Sequence, residues 1–131
     1  MHKNLIGLGL ACSMLFVTSS TFAKYSDEFV GCMKAAKNQK QEIHECQLDE
    51  YKAQEKLLKK TYNTLLDAKN AEESALLEQD QAKWLAVRER SCKIKDKKAN
   101  DMNLPQLNCS LTMTASRVDG LQVRLNNKNV N

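Results

Sequence analysis

The groups able to do chemistry in this 131-residue chain are five cysteines, two histidines and sixteen carboxylates. Cys12 falls in an N-terminal leader, and Cys32, Cys46, Cys92 and Cys109 remain. An even set of cysteines in an exported chain reads as a disulfide framework. There is no Cys-x-x-Cys and no Cys/His cluster with zinc spacing, so metal and redox chemistry are poorly supported. His44 is the one histidine beyond the leader. A nucleophile pair would need it, yet its cysteine partners are spent in cross-links and no third, orienting group is identifiable. It reads as a surface helix position. Glu72, Glu73, Glu78 and Asp80 offer neighbouring carboxylates. Glycoside hydrolysis needs two across a cleft, whereas these sit at a helix start, where the dipole favours acids. No phosphate loop, dinucleotide fingerprint or haem attachment motif is present. The residues therefore point to a non-enzyme with no metal and no cofactor.

Trp84 and Arg88 stand one helical turn apart. Trp and Arg are enriched at binding hot spots, but Trp84 lies on an apolar face. The pair is read as a core tryptophan with an arginine packed or paired beside it. Arg117 is read the same way, in a buried-edge ion pair with Glu or Asp. The lysines at 93, 95, 97 and 98 suit a solvated helix end.

These residues must be positioned by helices. Pro occurs once and Gly four times, and helix formers are abundant throughout. A leader comes first: charged Lys3, an apolar run from Leu5 to Val17, then Thr21 and Ala23 at the −3 and −1 positions of a cut. The run is too short for a bilayer-spanning helix. Gly9 at position −3 of Cys12, and the apolar run continuing past it, argue against a lipid anchor. The domain reading is a signal peptide at 1–23 and a single helical domain at 24–131, exported to the periplasm or secreted. Losing Lys3 lowers the formal charge from +4 to +3, too mild and too scattered for a nucleic-acid binder.

Within the domain, Phe29, Cys32, Met33 and Ala36 mark a short helix over 25–37. Asn38 with Gln41 is a weak capping box. Leu48, Tyr51, Leu58, Tyr62 and Leu65 then fall on one face of a long helix, interrupted by Glu55. Asn70 with Glu73 repeats the cap pattern and breaks the helix. A second arm carries Leu77, Trp84, Val87 and Cys92 to about Lys98. A polar loop over 99–104 follows, and Pro105 opens a third helix at its first position, carrying Leu111, Thr114, Val118, Leu121 and Leu125. The fold class is all-α: a long antiparallel hairpin with a short N-terminal helix, a C-terminal third helix and two disulfides. One unbroken helix over 38–98 would expose its apolar stripe, so the hairpin is preferred. Pairing Cys32 with Cys46 and Cys92 with Cys109 closes rings of roughly 15 residues, worth about 3 kcal/mol each. Crossed pairing of Cys46 with Cys92 is equally open, because the two are nearly equidistant from Asn70.

The ordered residues resemble a family. Cys32, Cys46 and Tyr62 precede Gln81, Trp84, Arg88 and Cys92 in a Gln-x-x-Trp-x-x-x-Arg-x-x-x-Cys block; Cys109, Thr114, Arg117 and Leu121 close the pattern. This is similar to the LprI-like lysozyme inhibitor family of small exported bacterial proteins. The resemblance covers nearly the whole domain and implies the in-order pairing Cys32–Cys46 and Cys92–Cys109. It also implies a protein partner, a lysozyme-type or other peptidoglycan hydrolase; the physical role read for the chain is occlusion of that enzyme's substrate cleft. The chain departs from the pattern at 97–108, where a Gly-rich turn is usual, and at Glu89 for the usual Asp. The loop residues Lys97, Asp101, Met102 and Leu104 are the candidate partner contacts. An immunity protein against a periplasm-delivered toxin, and an envelope structural or stress protein, are the other readings. Lysozymes are commonly basic, so a basic partner opposes encounter, and the sequence localises no acidic patch to offset this.

Overall fold

The computed structural model describes residues 24–128. The expected leader, with Cys12, lies outside the described residues. Four α-helices follow in order: α1 (Asp27–Ala36), α2 (Lys40–Asp67), α3 (Ala71–Cys92) and α4 (Leu104–Lys128), with a 3-10 turn at Ala99–Asp101 before α4. The fold is all-α as expected, one short helix and three long ones, but the two hairpin arms α2 and α3 meet chiefly through α4, which packs along both.

Local chemistry sets most of the boundaries. The Ser26 hydroxyl accepts the Phe29 amide at 3.1 Å and opens α1. Asn70 and Glu73 form a reciprocal capping box: Asn70 Oδ1 accepts the Glu73 amide at 2.9 Å, and the Glu73 carboxylate accepts the Asn70 amide at 3.4 Å. The hairpin therefore breaks where the sequence places it, and the unbroken helix is ruled out. Asn38, by contrast, does not cap α2. That helix starts at Lys40, with Gln39 in the cap position making no side-chain bond. The α1 end occupies the site instead: Lys37 takes a positive φ of 51°, and the Gln39 amide returns to the Ala36 carbonyl at 2.9 Å.

The second arm is shorter than expected and ends at Cys92. Lys93 adopts the left-handed conformation (φ 56°, ψ 46°). Its amide returns to Arg90, and that of Ile94 reaches Glu89 at 3.0 Å, the double bond of a Schellman stop. α4 starts one residue before Pro105. Asn103 and Gln106 cap it reciprocally, Asn103 Oδ1 accepting the Gln106 amide at 3.0 Å and Gln106 Oε1 accepting the Asn103 amide at 3.2 Å.

Packing centres on α4, which lies along α2 and also against α3, while α1 packs on α2. One buried cluster joins Tyr51, Ile94, Met102, Leu107 and Leu111; the other joins Leu58, Leu65, Leu77, Val118 and Leu121. Both are built from more than one helix, so the helices are stable through mutual burial. The disulfides take the in-order pairing. Cys32–Cys46 binds α1 to α2 with Cα atoms 5.7 Å apart, and Cys92–Cys109 binds the end of α3 to α4 at 5.5 Å. Among the described residues no helix is long and apolar enough to cross a membrane.

Candidate functional site

The residues of the sequence pattern come from three helices and converge around Trp84. α3 presents Gln81, Trp84 and Arg88 at three- and four-residue steps, which stack on one face. α4 presents Thr114, Arg117 and Leu121 by the same rule, and α2 contributes Tyr62. Arg88 is 8% exposed. It donates to the Glu55 carboxylate and, at 2.7 Å, to the Thr114 hydroxyl. Its guanidinium lies 4.9 Å from the Trp84 ring centroid and 5.9 Å from that of Tyr51. Arg117 sits 5.6 Å from the Trp84 centroid, donating to Gln81 Oε1 and to Asp80 Oδ2, both at 3.0 Å. Arg124 reaches the same Asp80 oxygen at 3.3 Å. Leu121 and Thr114 are fully buried, and Tyr62 packs at the edge of the cluster of Leu58, Leu65 and Leu77.

Charge explains the titration of this network. The hydrogen bond from Arg117 holds the Asp80 carboxyl below its ordinary value, helped by the charge of Arg117 and by Arg124. Burial, then the neighbouring Glu55 charge, pushes the Tyr51 phenol above its ordinary value, against an opposing pull from Arg88. Glu55, which interrupts the apolar stripe of α2 in sequence, is the counter-ion of Arg88. Val87, placed on the apolar face by periodicity, is 42% exposed. Arg88 takes the inward position beside it, because its charge is neutralised within the bundle.

The candidate contact residues of the connecting loop divide. Lys97 and Asp101 are exposed and Leu104 is half-buried. Met102 is 4% exposed and belongs to the core, so its side chain is not available to a partner. The loop is anchored: Lys97 Nζ donates to Gln106 Oε1 at 3.0 Å, and Gln106 Nε2 donates to the Lys93 carbonyl at 2.6 Å. His44 is not a plain surface residue. It is half-buried, and its Nε2 donates to the Met102 carbonyl at 2.8 Å, tying α2 to the 3-10 turn. A groove of about 670 Å³ opens between α2, α3 and this turn. Its walls mix charges, Lys52 and Lys56 facing Glu89 and Asp96 over an apolar floor that includes Leu85 and Ile94.

A second face went unlocated in the sequence. Glu28, Glu42, Glu45 and Asp49 are all exposed on α1 and the first half of α2, around the Cys32–Cys46 bridge. The spacing of 42, 45 and 49 on one helical stripe is the signal that could have found it. Intervening Lys34, Lys37 and Lys40 hide it in a linear count. Among the described residues no group of three or more His, Cys, Asp or Glu side chains converges as a metal site.

A disulfide-stapled helical module with arginines packed on a central tryptophan, and with its polar residues engaged in holding helices together, is the class that fold and site define. The family model for lysozyme inhibitor LprI matches residues 32–121. The chain belongs to that family, whose members are described as inhibitors rather than enzymes. Neither a search of curated proteins nor a search of solved structures found a match.

Proposed function

We propose that this is an exported binding protein that blocks a peptidoglycan-cleaving enzyme, a lysozyme, by covering its substrate cleft. The observation that carries the reading is membership of the LprI lysozyme inhibitor family across 32–121, a span that includes all four cysteines of the framework. The geometry supports occlusion in preference to catalysis. The carboxylates nearest the central network have structural partners, Glu55 with Arg88 and Asp80 with Arg117. Two cross-linked helix junctions favour a surface that binds without rearranging, which lowers the entropic cost of association. Export to the periplasm accords with the leader pattern and with two disulfides, which persist in oxidising compartments. The test is a muramidase assay on cell-wall substrate with the purified, oxidised protein added. A dose-dependent loss of lytic rate is expected. Unchanged lysis by both animal-type and phage-type lysozymes removes the reading.

A further inference from the structure

We propose that the face made by α1 and the first half of α2 is the docking surface of this protein, and that its occupant is a cationic protein surface. The proposal rests on the inhibitor reading for the identity of that partner. Two shallow grooves, of about 390 and 230 Å³, flank the Cys32–Cys46 bridge and share Cys32, Cys46 and Asp49 in their walls. Their apolar surface comes from Phe29, Ala35, Ala53 and the bridge itself. Their charged groups are all acidic: Glu28, Glu42, Glu45 and Asp49 at the surface, with Glu50 buried between the helices. No lysine or arginine lines either groove, whereas the three other grooves described each carry at least one.

Several features match this face to a protein rather than an ion. The four surface carboxylates have no ion-pair partner among the described residues, and the one hydrogen bond among them, from Gln41 Nε2 to Glu45 at 3.3 Å, is exposed and neutral, so their charge is open to cations from outside. They do not converge as a metal site. They are spread on both sides of a rigid apolar bridge, the layout of an interface with a dry centre and a polar rim. Buried Glu50 supports the face from below. Its carboxylate accepts the Ser26 amide at 3.0 Å and Gln54 Nε2 at 2.8 Å, fixing the start of α1 against α2. The arrangement also answers the electrostatic objection: a net basic chain can still be steered onto a basic lysozyme if it presents a local acidic face.

The experiment measures binding of the full oxidised protein to a basic animal-type lysozyme at low and moderate salt, alongside muramidase inhibition. The quadruple variant E28Q/E42Q/E45Q/D49N is compared with wild type and with K83Q/K95Q/K98Q, which changes exposed lysines away from this face. Circular dichroism checks folding, and the single variant E45K gives a second reading. At about a factor of 2.5 per exposed pair, the quadruple variant is expected to bind on the order of 40-fold more weakly. It is also expected to lose most of the salt dependence of the association rate, while the lysine variant stays within about twofold. Wild type that binds through these carboxylates without slowing lysis by this or a phage-type lysozyme upholds the docking face and removes the inhibitor reading. Wild type that inhibits, with the quadruple variant binding within about threefold of it, overturns the docking face and leaves the inhibitor reading standing. Loss of self-association alone in the quadruple variant, with lysozyme binding intact, assigns the face to a second copy of the chain and overturns the proposal. Absence of any binding by wild type overturns the docking face, and unchanged lysis by phage-type lysozyme as well removes the inhibitor reading.

Discussion

Arg88 is the charged side chain that ties three helices together, reaching from α3 to Glu55 on α2 and Thr114 on α4. It brings a charge into the bundle, where it is neutralised by Glu55, bonded by Thr114 and packed against two aromatic rings. Removing one member of a buried ion pair generally costs about 3–5 kcal/mol, because the other is left unpaired. Glu55 is 38% exposed and can rehydrate, so Arg88→Ala is expected at the lower side, about 2–3 kcal/mol, by denaturant unfolding. Glu55→Gln keeps a hydrogen-bond acceptor and is expected to cost about 1 kcal/mol. The reverse order would show that buried Arg88 needs its counter-ion more than the bundle needs the arginine, whereas a Glu55→Gln cost near zero would show that the rings carry it. Asp80 makes a different prediction, through pH. Because folding lowers its pKa, its contribution is fully in place above the unfolded carboxyl value. It is lost as pH falls through the folded one. The stability gap between wild type and Asp80→Asn should hold steady at neutral pH and close below about pH 4. Asp80 is 46% exposed, so the gap should stay under about 1 kcal/mol. A gap that persists at pH 2 would assign the effect to packing.

At the scale of helices, the clearest test is the end of α3. A lysine occupies the left-handed position where glycine is usual, and L-residues other than glycine are strained there by about 1–2 kcal/mol. Glycine carries an unfolded-state entropy cost of about 0.5–1 kcal/mol. Lys93→Gly should therefore stabilise the protein by about 0.5–1 kcal/mol, seen as a raised denaturant midpoint with an unchanged slope. A lowered midpoint would mean that the lysine side chain contributes more than its strain. The same position explains what the sequence could and could not show. The break at Asn70 was legible because a side-chain cap announces itself through residue type and spacing. The break at Cys92 was not: Lys93, Lys95, Lys97 and Lys98 are good helix formers, and no glycine or capping residue marks the stop. It comes from tertiary demands, the bond from Cys92 to Cys109 and the burial of Ile94 and Met102. The aromatic and arginine cluster was legible in part, since i, i+4 spacing places Trp84 beside Arg88. Its counter-ions lie tens of residues away on α2 or a turn away on α3, and periodicity does not choose among the carboxylates on offer. The acidic face stayed hidden for a related reason. Lysines separate its members along the chain, and only the docking of α1 onto α2 brings Glu28 beside Asp49.

For the molecule as a whole, the question is whether its two ends melt together. One hydrophobic cluster holds Leu111 and Tyr51, and the other holds Leu65, Leu58 and Leu121. The clusters have distinct members, but α2 and α4 each run through both without interruption. Opening one end alone would require breaking two continuous helices in mid-course, where each turn supports the next. The two ends should therefore unfold as one unit. Leu65→Ala and Leu111→Ala each remove a fully buried side chain and are expected to cost about 2–5 kcal/mol. The informative variant is Leu111→Ala. The single tryptophan, Trp84, packs against the other cluster and so reports on a part of the bundle that Leu111 does not join. If the molecule is one cooperative unit, this substitution lowers the Trp84 fluorescence midpoint as far as it lowers the midpoint by far-UV circular dichroism. A fluorescence midpoint left in place while dichroism shifts would divide the bundle into independent halves. The acidic face on α1 and α2 would then sit on an end free to open by itself, and a rigid surface covering an enzyme's cleft would lose its physical basis.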